Sequence, residues 1–225
     1  MEEVYYIIEN APLNIGFWWI VGPIVAIVSA YFAGKLAKVD DNIISIAIIG
    51  PQASGKTTLW DFFRKVEPGS DHKTATPKDT IEQFKTTIGD REYTVKKTFD
   101  IGGGRNFIKH YKEIIQDDTY VFFIFNAKDV IDRNEREILE IQSRLYFFKE
   151  EIKNSKQFQV IGSHLDKLSP GHQKNSHRTE NEIISIIGKK YFDMAPGKEI
   201  EEHFKLLNLT DWEIVTPYID EIFTK

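Results

Sequence analysis

The chain of 225 residues has no cysteine, which excludes disulfides, cysteine metal sites and thiol nucleophiles and fits a reducing compartment. A basic surplus is also missing. Against 29 Lys and Arg stand 34 Asp and Glu, a formal net charge of −5, so no broad field invites nucleic acid, and none is expected as a partner. No internal repeat or low-complexity tract occurs, and no serine sits in a nucleophile-elbow context. His172 and His177 flank a polar loop with no carboxylate cluster between them, so zinc is not expected there. With 41% hydrophobic and 28% charged residues, a globular protein follows, and the length suits one domain with an appendage.

One absence is local. From Asn10 to Gly34 there is no charged residue, and the run from Ile15 to Ala33, "IGFWWIVGPIVAIVSAYFA", is almost wholly apolar. As a helix it would reach roughly 28 Å, close to the thickness of a bilayer's hydrocarbon core. Trp18 and Trp19 near one end and Tyr31 at the other suit interfacial belts, and Gly22 and Pro23 are tolerated in membrane helices. The acidic start, with Glu2, Glu3 and Glu9, argues against a cleaved signal peptide. The expected order is a short tail at 1–14, a transmembrane helix at 15–34, a linker at 35–41 and a soluble domain at 42–225. Lys35 and Lys38 follow the apolar run and no Lys or Arg precedes it, so a single-pass membrane protein with its domain in the cytosol is expected.

Beyond the linker, β-branched runs alternate with helical patterns, which argues for an α/β domain around a six-stranded, mostly parallel sheet flanked by helices. "NIISIAIIG" from Asn42 reads as a central strand buried on both faces, and "KTTLWDFFRKV" as the helix after it. "TIEQFKTTIG" and "REYTVKKTFD" flank the turn at Gly89 and Asp90 as an antiparallel hairpin. A helix near 106–116, a strand "TYVFFIFNA", a long helix from Arg133 and a strand "FQVIGS" come next. An irregular polar loop, a helix from Glu180, a strand "HFKLLNL" and a closing helix opened by a Thr210/Glu213 capping box complete the domain.

"GPQASGKT" places Gly50, four residues, then Gly55, Lys56 and Thr57 between a predicted strand and a predicted helix, the context a phosphate loop requires. The glycines let the backbone curl with its N–H groups inward. Gln52, Ala53, Ser54 and Thr58 complete the candidate phosphate-binding segment. Lys56 would bring positive charge to the terminal phosphates, and the Thr57 hydroxyl would ligate Mg²⁺.

The order of motifs resembles a small GTPase of the Ras superfamily over roughly Asn42 to Lys225, with the nearest likeness Arf-like. "GPQASGKTTL" is similar to the Arf-type loop, and "DIGGG" from Asp100 to the Arf-type Asp-x-Gly-Gly-Gln. An apolar span ahead of such a domain also resembles the β subunit of the signal recognition particle receptor. The resemblance implies GTP/GDP and Mg²⁺ as cofactors. It makes Asp100 a holder of the metal through water, Gly103 a γ-phosphate sensor and Thr80 the switch threonine that joins the metal, with Thr74 and Thr76 as nearby competitors. For the base, Ras-like proteins use Asn-Lys-x-Asp. Here Ser163, His164, Leu165 and Asp166 fill that place, similar to the Thr-His-x-Asp of Roc-type GTPases, and Asp166 would accept bonds from guanine.

The residue after Gly103 is Gly104, where the family has the glutamine that orients the attacking water. No catalytic residue is assigned, and intrinsic hydrolysis is expected to be slow. Arg105, Asn106, Gln52 or a partner could supply the missing group. The resulting expectation is a membrane-anchored GTP/GDP switch that recruits a protein effector or activator. A non-switching assembly subunit with constitutively bound nucleotide and an ATPase of the same fold are the alternatives.

Overall fold

The computed structural model describes residues 42–67, 78–191 and 203–224. Contacts divide the chain after Asp41, and all described residues lie in the unit Asn42–Lys225. The architecture expected with a transmembrane helix at 15–34 is corrected, because no such helix is found among the described residues. Among the described residues no helix is long and apolar enough to cross a membrane, and 15–34 lie outside them. The longest described helix, Glu135–Phe148, has 14 residues. At the usual rise it reaches about 21 Å, short of a bilayer core, and it carries charged side chains.

The elements are β1 (Ile43–Ile49), α1 (Lys56–Arg64), β2 (Lys78–Ile81), β3 (Phe84–Ile88), β4 (Arg91–Val95), β5 (Thr98–Ile101), α2 (Ile108–Ile114), β6 (Thr119–Asn126), α3 (Ala127–Ile131), α4 (Glu135–Phe148), β7 (Gln157–Ser163), α5 (Pro170–Lys174), α6 (Ser176–Ile187), β8 (Phe204–Leu206) and α7 (Trp212–Thr224). Six strands form one sheet in the order β3-β4-β1-β6-β7-β8. Every pairing in it is parallel except β3 with β4. The hairpin read at Gly89 and Asp90 forms, with Ile88 opposite Arg91. It continues into β2 and β5, where Asp79 faces Asp100 and Thr80 faces Phe99.

Strand periodicity explains the two-sided core. Successive side chains of a strand point to opposite faces, so an unbroken apolar run fits only where both faces are covered. Ile46 and Ile48 of β1 with Phe122 and Ile124 of β6 meet Leu59, Trp60 and Phe63 of α1 and Val215 and Ile219 of α7. Ala47 and Ile49 with Val121, Phe123 and Phe125 meet Tyr111 of α2, Ile141, Leu145 and Phe148 of α4 and Ile183 of α6. The resulting three layers bring the C-terminal ends of β1, β6, β7 and β8 to one edge of the sheet. Clefts at that edge are where open parallel sheets bind ligands.

Two expectations shift locally. The polar loop after β7 is partly helical, as α5 and the first turns of α6, with Pro170 at the start of α5. The Thr210 hydroxyl does not cap the last helix. It donates to Asn208 Oδ1 at 2.8 Å, and the Asp211 carbonyl accepts the first helical N–H groups, from Ile214 and Val215, each at 3.1 Å.

Candidate nucleotide site

Between β1 and α1 the chain turns through three residues of positive φ: Gly50 at 149°, Ala53 at 55° and Gly55 at 93°. Such alternation curls a backbone so that successive N–H groups converge, the shape that holds phosphate oxygens. Gly50 has no room for any side chain, since a Cβ there would lie 1.9 Å from the Ile124 carbonyl oxygen. Gln52 and Ala53 are exposed at the crest of the turn, whereas the Ser54 hydroxyl is buried and finds no hydrogen-bond partner among the described residues. Thr57 and Thr58 occupy the first turn of α1.

Lys56 is 7% exposed and arches over the loop, donating to the Pro51 carbonyl at 2.6 Å. Burial lowers its ammonium to about 8, with Asp100 opposing the fall and Arg144 adding to it. Asp100 is the counter-charge in this balance. Burial raises that carboxyl above its ordinary value, against the pull of Lys56 and of the Thr57 hydrogen bond, and Asp79 adds to the rise. The Thr57 hydroxyl donates to Asp100 Oδ2 at 3.2 Å.

A hydroxyl beside a half-buried carboxylate is a donor set of the hard-oxygen kind that suits Mg²⁺ completed by phosphate oxygens and water. Among the described residues no group of three or more His, Asp or Glu gathers, so an ion here would depend on Thr57, Asp100 and the nucleotide. Thr80 is not brought to this pair. Opposed residues of an antiparallel ladder share a face, so Asp79 lies on the side of Asp100 and Thr80 on the other, beside Phe99. For Thr80 to reach the metal, β2 would have to leave its ladder with β5. Thr74 and Thr76 lie outside the described residues.

The Asp100 loop closes on the phosphate loop. A Cβ at Gly103 would lie 2.2 Å from the Gln52 nitrogen, so only glycine allows the two backbones to meet. Gly104 is extended, with φ −69° and ψ 149°, and faces the Phe107 ring.

The segment after β7 adjoins the same loop. Ser163 is buried, and a Cβ at Gly55 would lie 3.7 Å from the Ser163 Cβ and 2.9 Å from Leu209 Cδ1. The Ser163 hydroxyl lies 3.0 Å from the Phe125 carbonyl and 2.7 Å from His164 Nδ1. With its proton on the carbonyl, Nδ1 of the ring is the donor and Nε2 is left as an acceptor. Burial holds His164 below its ordinary value, which favours that neutral ring, while Asp166 and Asp129 oppose the shift. His164 has a left-handed φ of 61°, and Asp166 follows in a short 3-10 turn, paired with Lys167 at 3.0 Å. Asn208 to Asp211 form the neighbouring turn, from which only Leu209 is buried.

Three residues of this site escape motif reading: Arg144, Glu140 and Tyr111. Tyr111 donates to the Gly50 carbonyl at 3.1 Å, and Arg144 bonds the same oxygen at 3.2 Å. A signal exists in the sequence. Ile141, Arg144, Leu145 and Phe148 share the helical spacing of one apolar face, and an arginine there with Glu140 one turn earlier marks a charge pair facing inward.

No family model and no curated protein matches this chain. Solved structures do. The small GTPase Arl6 from Trypanosoma brucei, solved with the nucleotide analogue GppNp, superposes with a TM-score of 0.51 at 18% identity, covering 81% of this chain and 98% of that one. A GTP-binding protein from Sulfolobus solfataricus in complex with GDP gives 0.54 at 16% identity over 80% of this chain, which spans 52% of that protein's length. Toc33 from Arabidopsis thaliana gives 0.52 at 12% identity, over 86% and 89% of the two chains. The described domain therefore has the fold of the small GTPases.

Proposed function

We propose that the chain is a guanine-nucleotide switch that binds GTP and GDP with Mg²⁺, hydrolyses GTP slowly on its own and engages a protein partner in one nucleotide state. The observation that carries this reading is the convergence of three segments on one loop. Gly103 abuts Gln52, Ser163 and Leu209 abut Gly55, and Thr57 is bonded to Asp100. That the segments proposed to meet phosphate, metal and base adjoin one another supports the reading. That the solved proteins of this fold include one in complex with GDP and one with GppNp supports the choice of ligand.

The residues divide the work by their chemistry. Backbone N–H groups of the loop and the N-terminus of α1 would receive the phosphates, and Lys56 would place its charge on their outer oxygens. Mg²⁺, when bound, neutralises charge that develops between the terminal phosphates. Thr57 and Asp100 would hold it. Asp166 would accept from the guanine ring N–H and amino group, while His164 and Ser163 shape the wall beside it. Gly104 offers no side chain to orient a water, so what remains is positioning and charge stabilisation without an aligned nucleophile.

Titrating the full chain with labelled GTP, GDP and ATP in Mg²⁺ tests the reading. Exchangeable binding of both guanine nucleotides, with ATP at least about a hundredfold weaker, is expected from a polar base site. ATP preference would remove the role given to Asp166, and nucleotide that cannot be exchanged would replace a switch with a permanently loaded subunit.

A further inference from the structure

Arg144 is fully buried on α4, and every direction of its guanidinium is engaged. Nη1 donates to the Gly50 carbonyl at 3.2 Å and to the Tyr111 hydroxyl at 2.8 Å. Nη2 donates to the Gly103 carbonyl at 2.5 Å and to Glu140 Oε1 at 2.5 Å, and Nε reaches the same oxygen at 3.2 Å. The other carboxylate oxygen of Glu140 accepts from Arg105 Nε at 3.0 Å. One planar fork therefore holds the first glycine of the phosphate loop and the last glycine of Asp-x-x-Gly at once. Its counter-charge is tied in turn to the residue that follows Gly104.

The consequence is steric. With Gly103 drawn in, the separation of its ideal Cβ from Gln52 Cα is 2.5 Å, and from the Pro51 carbonyl carbon 2.3 Å. Two backbones in that contact leave no space between them for a phosphate oxygen. We propose that Arg144 is a positioning residue that keeps Gly103 seated on the phosphate loop and so closes the place of a third phosphate. This conformation then accepts a nucleoside diphosphate, and a triphosphate must first lift Gly103 away. The inference rests on the nucleotide reading above and adds to it the residue that sets the preference between the two ligands.

The chemistry favours arginine over lysine here. A guanidinium spans two carbonyls and a carboxylate in one plane, whereas an ammonium is a single point of charge that can keep Glu140 company but cannot bridge Gly50 and Gly103. Loosening the clamp should therefore spare a ligand that leaves Gly103 seated and help one that requires it lifted, because a ligand shifts a two-state balance only through its differential affinity.

The test uses the full chain, with GDP and a non-hydrolysable GTP analogue titrated in Mg²⁺ against wild type, Arg144→Lys and Arg105→Ala, and with folding followed by thermal melting. Arg144→Lys should raise affinity for the analogue relative to GDP by about tenfold, a ratio in which any loss shared by both ligands through Gly50 cancels. Arg105→Ala, at a side chain 65% exposed and so tolerant of truncation, should move the ratio the same way by about threefold. If Arg144→Lys does not fold, Arg105→Ala decides alone. Parallel weakening of both nucleotides, or an unchanged ratio, overturns the clamp and leaves the nucleotide site standing. Failure of the wild type to bind either nucleotide overturns the site and the clamp together.

Discussion

The Thr57 hydroxyl and Asp100 Oδ2 are joined by a hydrogen bond of 3.2 Å, so α1 and the end of β5 meet at the atoms proposed to hold Mg²⁺. With Mg²⁺ bound, Thr57 and Asp100 would hold it in place of that bond, Asp100 through a water molecule. Asp100→Asn keeps the shape and removes the charge. It should abolish most of the gain in GDP affinity that Mg²⁺ brings, a loss of about tenfold or more, while metal-free affinity changes little. Titrations with Mg²⁺ and with EDTA make the comparison. Because burial raises the Asp100 carboxyl, the Mg²⁺ gain in the wild type should also fade on acidification, and at a higher pH than an ordinary aspartate would give.

Lys56 gives a second pH dependence of the opposite sense. Its ammonium is lowered to about 8 in the fold, against 10.5 for the free side chain. Between those values the unfolded chain binds the proton and the folded chain does not, so Lys56 makes the ligand-free domain gain stability as pH rises from about 8 to 10.5, by about 3 kcal/mol at full extent. Below pH 8 the group is charged in both states and that gain is absent. Phosphates reverse the balance by favouring the charged form, so nucleotide binding should take up a proton above pH 8. GDP affinity should fall by about tenfold between pH 7 and pH 9. Lys56→Met should bind weakly at both and lack this component of the fall, and calorimetry in buffers of different ionisation enthalpy reads the proton directly.

Asp166 is 34% exposed at its side chain and contacts the exposed Lys167, so its substitution should not threaten the fold. Asp166→Asn presents an amide donor to the guanine amino group and leaves one acceptor where two bonds were made. GTP affinity should drop by about tenfold to a hundredfold, with xanthosine triphosphate, which carries a carbonyl at that position, gaining relative to it. Competition between the two triphosphates measures the exchange. An unchanged preference would show that the base is read elsewhere.

The parts of the domain legible in the sequence are those fixed by local pattern. "NIISIAIIG" and "TYVFFIFNA" are strands because only a two-faced core suits such runs, and Gly89-Asp90 turns the hairpin because its geometry is short-range. Gly50 to Thr57 are legible as a loop because their spacing is itself the chemistry. Tertiary contacts are not written that way. The seating of Gly103 on Gln52 depends on an arginine 41 residues further along, and the continuation of the hairpin into β2 and β5, which turns Thr80 away from Asp100, depends on register. The polar stretch after β7 was equally opaque. Its helices α5 and α6 bury mainly Thr179, Glu180, Ile183, Ile184 and Ile187, so most of the apolar signal comes only in the last two turns.

Gly104 is where a side chain could be added back. Its φ of −69° and ψ of 149° lie in the extended region open to any residue, so the backbone does not demand glycine. The ideal Cβ would meet only the edge of the Phe107 ring, at 3.0 Å from Cε2, and a half-buried ring at the end of a 3-10 turn can shift by a few tenths of an ångström. Gly104→Gln would therefore place an amide beside the third-phosphate position without breaking the loop, able to orient a water in line with the leaving oxygen. If the absent glutamine is what limits hydrolysis, wild-type turnover should lie at or below about 10⁻³ per second and rise by about tenfold or more in the variant, with GTP affinity unchanged. Single-turnover release of phosphate from preloaded GTP separates that effect from nucleotide exchange. A wild-type rate of tens per second, or a variant no faster than the wild type, would mean that the reacting water is oriented by another group, and Arg105→Ala in the Gly104→Gln background would then show whether the residue next in the chain supplies it.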